Sequence, residues 1–220
     1  MPVSHSASDP APRVPVVRKA GRRAVQAADT RAHIISIAGR LFLQHGYVVT
    51  TIEAIARESG VALQTIYNSV GNKAAVLSAV LDAAASGLDS PMSVLELMRK
   101  RTADAADLDS LITVLTDWFV DVHHRIGPVM DIIAQAAAVD SVVEKLQKDR
   151  ALQRLERYAE AAAAVRSRGG LTSGMSDADA AAAIWSLGHP QGYRTLVTDA
   201  GWSVPAYRDW LRRSLSATLA

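Results

Sequence analysis

The residues most able to do chemistry in this sequence are polar but not catalytic. Gln64, Thr65, Tyr67 and Asn68 crowd into one short stretch, with Lys73 shortly after. An amide side chain can pair bidentately with the edge of adenine, so Gln64 is the strongest candidate for reading a base. Leu63 beside it can pack on a thymine methyl, Ala62 is small enough to allow close approach, and Asn68 can reach a base or a phosphate. Thr51, Thr65, Tyr67 and Lys73 carry hydroxyls and an ammonium group suited to phosphate oxygens, contacts that position a protein on a duplex without reading its sequence. For each of these side chains the alternative is an ordinary polar surface residue. Other chemistries lack their residues. There is no cysteine, so disulfides, thiolate metal sites and thiol catalysis are excluded. No nucleophile elbow, phosphate-binding loop or metal triad stands in the chain. Adjacent His123 and His124 would point about 100° apart on a helix, which does not suit one metal ion. The expectation is a non-enzyme without metal or cofactor.

The elements that must position these groups are short. Thr50 and Thr51 can cap a helix start, and Ile52, Ile55 and Ala56 then form one apolar stripe. Gly60 stops that helix and Val61 fills the turn. A second helix is expected from about Ala62 to Ser69, with Leu63, Ile66 and Val70 on its apolar side. Two short helices joined through a glycine turn make a helix-turn-helix. A supporting helix is expected over Asp29–His45 on Ile34, Ile37, Ala38, Leu41 and Phe42, ended by Gly46. A fourth helix should begin near Asn72 and reach about Ser86. Lys73 then sits in its first turn, where free amides also attract phosphate.

Several spaced elements agree with a known pattern. Gly46-Tyr47, Thr50-Thr51, Ile55-Ala56, Ser59-Gly60-Val61, Thr65-Ile66-Tyr67, Asn72-Lys73 and Leu77 resemble the DNA-binding domain of the tetracycline-repressor (TetR/AcrR) family of bacterial transcriptional regulators. One departure is Ser69-Val70, where the family usually has an aromatic pair. The resemblance implies an all-α fold with an N-terminal three-helix DNA-binding domain and a larger helical ligand-binding and dimerisation domain, in about nine or ten helices. It also implies a homodimer on double-stranded DNA carrying a palindromic operator, with Thr50 and Lys73 near the DNA and Tyr47 either in the core or reaching a phosphate with its hydroxyl. Such a protein acts most often as a repressor released by a small, largely apolar ligand. A regulator of the same fold that activates or has no inducer is the alternative, and an all-helical enzyme a remote one. The candidate ligand residues are Met92, Met98, Trp118, His123, Met130, Tyr158 and Trp185, each of which could instead be plain core. Ala182, Trp210, Leu211 and Leu215, on the last two long helices, are the candidate dimer face, or else they close the core of one chain.

Charge follows the same division. Residues 1–80 hold nine Lys/Arg against four Asp/Glu, and residues 81–220 hold fifteen against eighteen. A basic N-terminal third fits a polyanion partner. The Pro-rich start is expected to be a disordered basic arm over residues 1–27, carrying Arg22 and Arg23 toward phosphates or a minor groove. The DNA-binding domain then covers 28–80 and the second domain 81–220. In the second domain, helices are expected at Ser93–Thr102, Leu108–Arg125, Pro128–Val139, Ser141–Ser167, Asp177–Leu187, Pro190 to about Thr198, and Pro205–Leu219. On the helix over Ser141–Ser167, Val143, Leu146, Leu152, Leu155 and Tyr158 are expected on one side and mixed charges on the other. No apolar run is long enough for a membrane span, and no secretion signal is seen. A cytoplasmic protein is the default expectation.

Overall fold

A computed structural model describes residues 17–87 and 93–220. The prolines and Arg13 of the expected arm, the side chain of Arg22, and Met92 lie outside the described residues. All regular structure among the described residues is helical, and none of these helices is long and apolar enough to cross a membrane.

Helix α1 (Val17–Val49) begins earlier than Asp29. Residues 17–27, expected to be disordered, are therefore helical. The reason is local. Past Pro15, the stretch Ala20–Ala28 is built largely of Ala, Arg and Gln, which favour helix, and extending an existing helix costs far less than nucleating one. Arg23 is exposed on this extension. Gly46 interrupts α1 with a left-handed φ of 76°, as its position in the sequence requires. Ile34, Ala38, Leu41 and Phe42 are buried and hold the helix against its neighbours.

Helix α2 (Ile52–Ser59) is capped by Thr51, whose hydroxyl accepts from the Ala54 amide at 3.1 Å. Gly60 ends it at φ 65°, and the Val61 amide donates to the Ala56 carbonyl at 3.1 Å, a Schellman-type closure. Helix α3 (Leu63–Ser69) packs on α1 and α2. Helix α4 (Lys73–Ser86) is capped by Asn72, whose side chain accepts from Ala75 at 2.9 Å.

The second part is built around α6 (Leu108–Ala137), against which α1, α4, α7 (Ser141–Ser167) and α10 (Val204–Leu219) all pack. Helix α5 (Val94–Asp104) precedes it with a capping box at Ser93 and Glu96. Two helices were expected where α6 is continuous through Gly127-Pro128. A proline inside a helix costs about 3 kcal/mol or more. It is tolerated here because one buried stripe, Ile126, Val129, Ile133 and Ala136, runs past it. Helix α8 (Asp177–Leu187) lies along α7, and α9 (Pro190–Tyr193) continues as a π-helical turn over Arg194–Asp199.

Two expectations about faces are corrected. Leu152 is exposed, because α7 turns a neighbouring face inward. Leu211 and Leu215, expected at a dimer surface, are completely buried within this chain. They belong to a stripe with Tyr207 and Leu219, spaced every four residues and packed toward α6 and α8. Arg208 and Arg212 flank that stripe and pair with Asp117 and Asp109 of α6, so the helix cannot turn its apolar side outward without breaking both pairs. Ala182 of α8 is exposed and Trp210 is half-buried.

Candidate functional site

The short helix α3 offers its outer face to solvent. Ala62, Gln64 and Asn68 are exposed, and so are Leu63 (39%) and Tyr67 (46%). Leu63 therefore lies on the open side rather than the apolar one, while Ile66 is fully buried and latches the helix to α1 and α2. Thr65 is half-buried. The Gln64 amide donates to the Asn68 side-chain oxygen at 2.9 Å. That bond holds two amides side by side on one helix turn and leaves each with free donors or acceptors. A helix of this size fits a major groove about 12 Å wide.

The flank of this face is arranged differently from expectation. Thr51, the α2 cap, is exposed. Thr50 is only 3% exposed, and its hydroxyl donates to the Gly46 carbonyl at 2.8 Å. It closes the loop after α1 from inside and is not presented to a partner. Tyr47 is also buried. Its ring stacks on Phe42 at 5.8 Å, and its hydroxyl donates to Asp140 Oδ2 at 2.7 Å. Burial and this bond push the Tyr47 pKa up, and the hydrogen bond from Tyr47 holds Asp140 below the usual carboxylate range. Asp140 caps α7, so the bond ties the reading end to the second part of the chain. Lys73 sits over the Tyr47 ring at 4.2 Å, with Nζ 3.3 Å from the Val48 carbonyl. Burial lowers its pKa, partly offset by Asp140.

A cavity of about 790 Å³ lies between α4, α5, α6, α7 and α8. Met98, Trp118, His123, Tyr158 and Trp185 all line it. Met130 does not; it borders a small separate hollow of about 20 Å³. Phe119 stacks on His123 at 5.8 Å and meets Tyr158 at 5.9 Å. Gly188 closes the α8 end against Phe119. A Cβ there would stand 2.2 Å from the ring, so only glycine fits. His123 is 3% exposed, its Nδ1 has no partner, and burial pushes its pKa down to about 3. It is a neutral polar group aimed into an otherwise aromatic wall. No group of His, Cys, Asp and Glu among the described residues could hold a metal ion.

Sequence reasoning missed the cavity's charged lining. Arg150, Arg154 and Arg157 all border it from α7. Their signal was available, since they stand at i, i+4 and i+7, one face of a helix. Arginine is mostly a surface residue, which hides such a face in a sequence.

Comparison with known proteins places this geometry. Residues 34–80 match the profile of the bacterial regulatory proteins, tetR family. No curated protein matches the chain. Among solved structures it is similar to NalD of Pseudomonas aeruginosa, described as the secondary repressor of the MexAB-OprM multidrug efflux pump. That likeness has 20% identity, a TM-score of 0.66, and covers 88% of this chain and 98% of that one. A protein of Syntrophomonas wolfei assigned to the TetR-family regulators aligns at 18% identity and TM-score 0.69, over 87% and 95%. A complex of SmeT with triclosan aligns at 24% and 0.62, over 86% and 90%. At these identities the likeness shows a shared fold along nearly the whole chain.

Proposed function

We propose that this chain, which through residues 34–80 belongs to the tetR family of bacterial regulatory proteins, is a dimeric transcriptional repressor that leaves a palindromic operator when a small molecule fills its cavity. The observation that carries the reading is the double role of α4. Lys73 opens that helix beside α3, and Leu81 and Asp82 on the same helix border the cavity. Lys73 and Asp82 stand nine positions apart on the helix, about 14 Å. A ligand against one end of a rigid helix acts on the placing of the other. It can shift the equilibrium only if it binds the released arrangement more tightly than the DNA-bound one.

In this reading Gln64, with Asn68 beside it, reads bases. Ala62 and Leu63 allow and make apolar contact, and Thr51, Thr65, Tyr67 and Lys73 hold phosphates. Arg23 extends the basic surface along α1. Thr50 and Tyr47 serve the scaffold instead. One seven-residue helix makes few base contacts, so two copies on half-sites about one DNA turn apart supply the affinity. The outer sides of α8 and α10, with exposed Ala182 and half-buried Trp210, are the surfaces left for the second copy. The repressor description of NalD and the triclosan bound to SmeT support reading the two ends as operator and effector sites. The protein then works in the cytoplasm, with the chromosome.

Selection of genomic fragments on the purified chain, followed by footprinting of the winner, tests this. A protected palindrome with two half-sites is the expected result. Fragments recovered no more often than random DNA, with and without candidate effectors, would sink the reading.

A further inference from the structure

The charge around the cavity does not suit a neutral occupant. Among the described residues five arginines border it, Arg99, Arg150, Arg154, Arg157 and Arg168, against two carboxylates, Asp82 and Glu160. Both carboxylates are already engaged. Arg99 donates twice to Glu160, at 2.8 and 2.6 Å, and Arg150 donates to Asp82 at 2.6 Å and to the Ser78 hydroxyl at 2.5 Å. Arg168 gives its donors to the backbone carbonyls of Thr102, Ala105 and Ala164. Arg154 is half-buried and, among the described residues, has neither a hydrogen bond nor an ion pair. Its pKa is held down first by burial and then by the nearby cations Arg150 and Arg157, with Tyr158 opposing. A guanidinium stays protonated in a protein, so this site keeps a partly desolvated positive charge without a counter-ion among the described residues. Such a charge is costly until an anion or water meets it.

The facing wall on α6 is of the opposite kind. Trp118 and Phe119 supply aromatic surface, and His123 adds one buried, unpartnered ring nitrogen. The cavity therefore has a cationic side and an apolar side with a single polar point. Its volume of about 790 Å³ suits a drug-sized molecule.

We propose that the cavity binds an amphipathic carboxylate, its anionic head on Arg154 and its apolar body against Trp118 and Phe119. The planar guanidinium accepts a carboxylate through two parallel hydrogen bonds. The arginine excess disfavours a cationic ligand. This assignment rests on reading the cavity as the effector site. It replaces the largely apolar ligand implied by family resemblance with an anionic one.

The test is calorimetric titration of the full chain with matched probes. Decanoate and 2-naphthoate are the carboxylates, decanamide and 2-naphthamide their neutral counterparts, and decyltrimethylammonium the cation. At least one carboxylate should bind about tenfold or more tightly than its amide, and the better carboxylate tells whether the body is alkyl or aromatic. Arg154→Met should abolish the preference, and Arg154→Lys should keep part of it. Equal or tighter binding of the amides or the cation overturns the proposal. So does the absence of carboxylate binding at about 1 mM, or a preference that survives in a folded Arg154→Met. The probe series on the unaltered chain decides the matter even where that variant fails to fold. Release of the selected operator fragment is followed in parallel. A carboxylate that binds without releasing DNA overturns the release mechanism and keeps this assignment. Release by the amides alone does the reverse.

Discussion

The two ends of α4 lie in regions built on opposite plans. At the Lys73 end, polar side chains face outward from a thin layer of core, and what they present is set by one short helix. At the Asp82 end, arginines, a neutral histidine and aromatic rings face inward, and what they present is set by the packing of five helices. The first region is a surface that meets its partner whole. The second is a cavity in which His123 is buried and Arg154 half-buried before any ligand arrives, while Arg99, Arg157 and the carboxylates at its rim stay exposed. Shape and hydrogen-bond pattern decide recognition in the first, and desolvated charge in the second.

Removing the latch of the reading end should give the largest effect. Ile66 is fully buried, and Ile66→Ala should cost about 2–5 kcal/mol, seen by chemical denaturation. If the regions are independent in plan, this variant loses DNA binding while the cavity still takes its probe. Loss of both together would show that α3 and the cavity stand or fall as one unit.

The cavity should show an acid lability of its own. His123 has a folded pKa near 3 against an ordinary value of 6.5, because burial disfavours its charged form. The unfolded chain then takes up the proton first as pH falls. This contribution is intact above about pH 6.5 and is lost progressively toward about pH 3, at up to about 1.4 kcal/mol per pH unit. Denaturation of His123→Phe at successive pH values should give a flatter acid limb. An unchanged limb would move the lability to other groups, His189 first, whose pKa burial also lowers.

At the reading end, Gln64→Ala should weaken operator binding by about 1–3 kcal/mol and leave nonspecific binding alone, measured by titration against operator and scrambled duplexes. A uniform loss would make Gln64 a positioning residue. The smallest effect concerns the link between the regions. Tyr47→Phe deletes the bond to Asp140, which should lower stability by about 0.5–1.5 kcal/mol for this part-buried bond. Operator affinity should stay within twofold or so of its starting value. A larger fall would show that the hydroxyl reaches DNA after all.

Much of the reading end was legible before folding. The caps at Thr51 and Asn72, the turn at Gly60 and the latch at Ile66 depend on neighbours a few residues away, and each stands where the spacing places it. Of the two readings open for Tyr47 the structure has the buried one, and its partner Asp140, 93 positions away, is revealed only by the tertiary fold, whereas Thr50 turns inward on a local bond to the Gly46 carbonyl. In the second part the helices were mostly found, though not the continuity of α6 through Pro128, where tertiary burial overrides a strong local breaker.

Local sequence was enough, then, for an all-helical chain and a helix-turn-helix with a polar outer face. These rest on periodicity and turn chemistry, which act over one or two helix turns. Which way α7 and α10 face was settled by tertiary packing alone. A helix with apolar and charged residues on several sides has more than one plausible inward stripe, and the choice belongs to the helices packed against it. That choice buried Leu211 and Leu215 inside one chain and set Arg154 beside the cavity without a partner among the described residues.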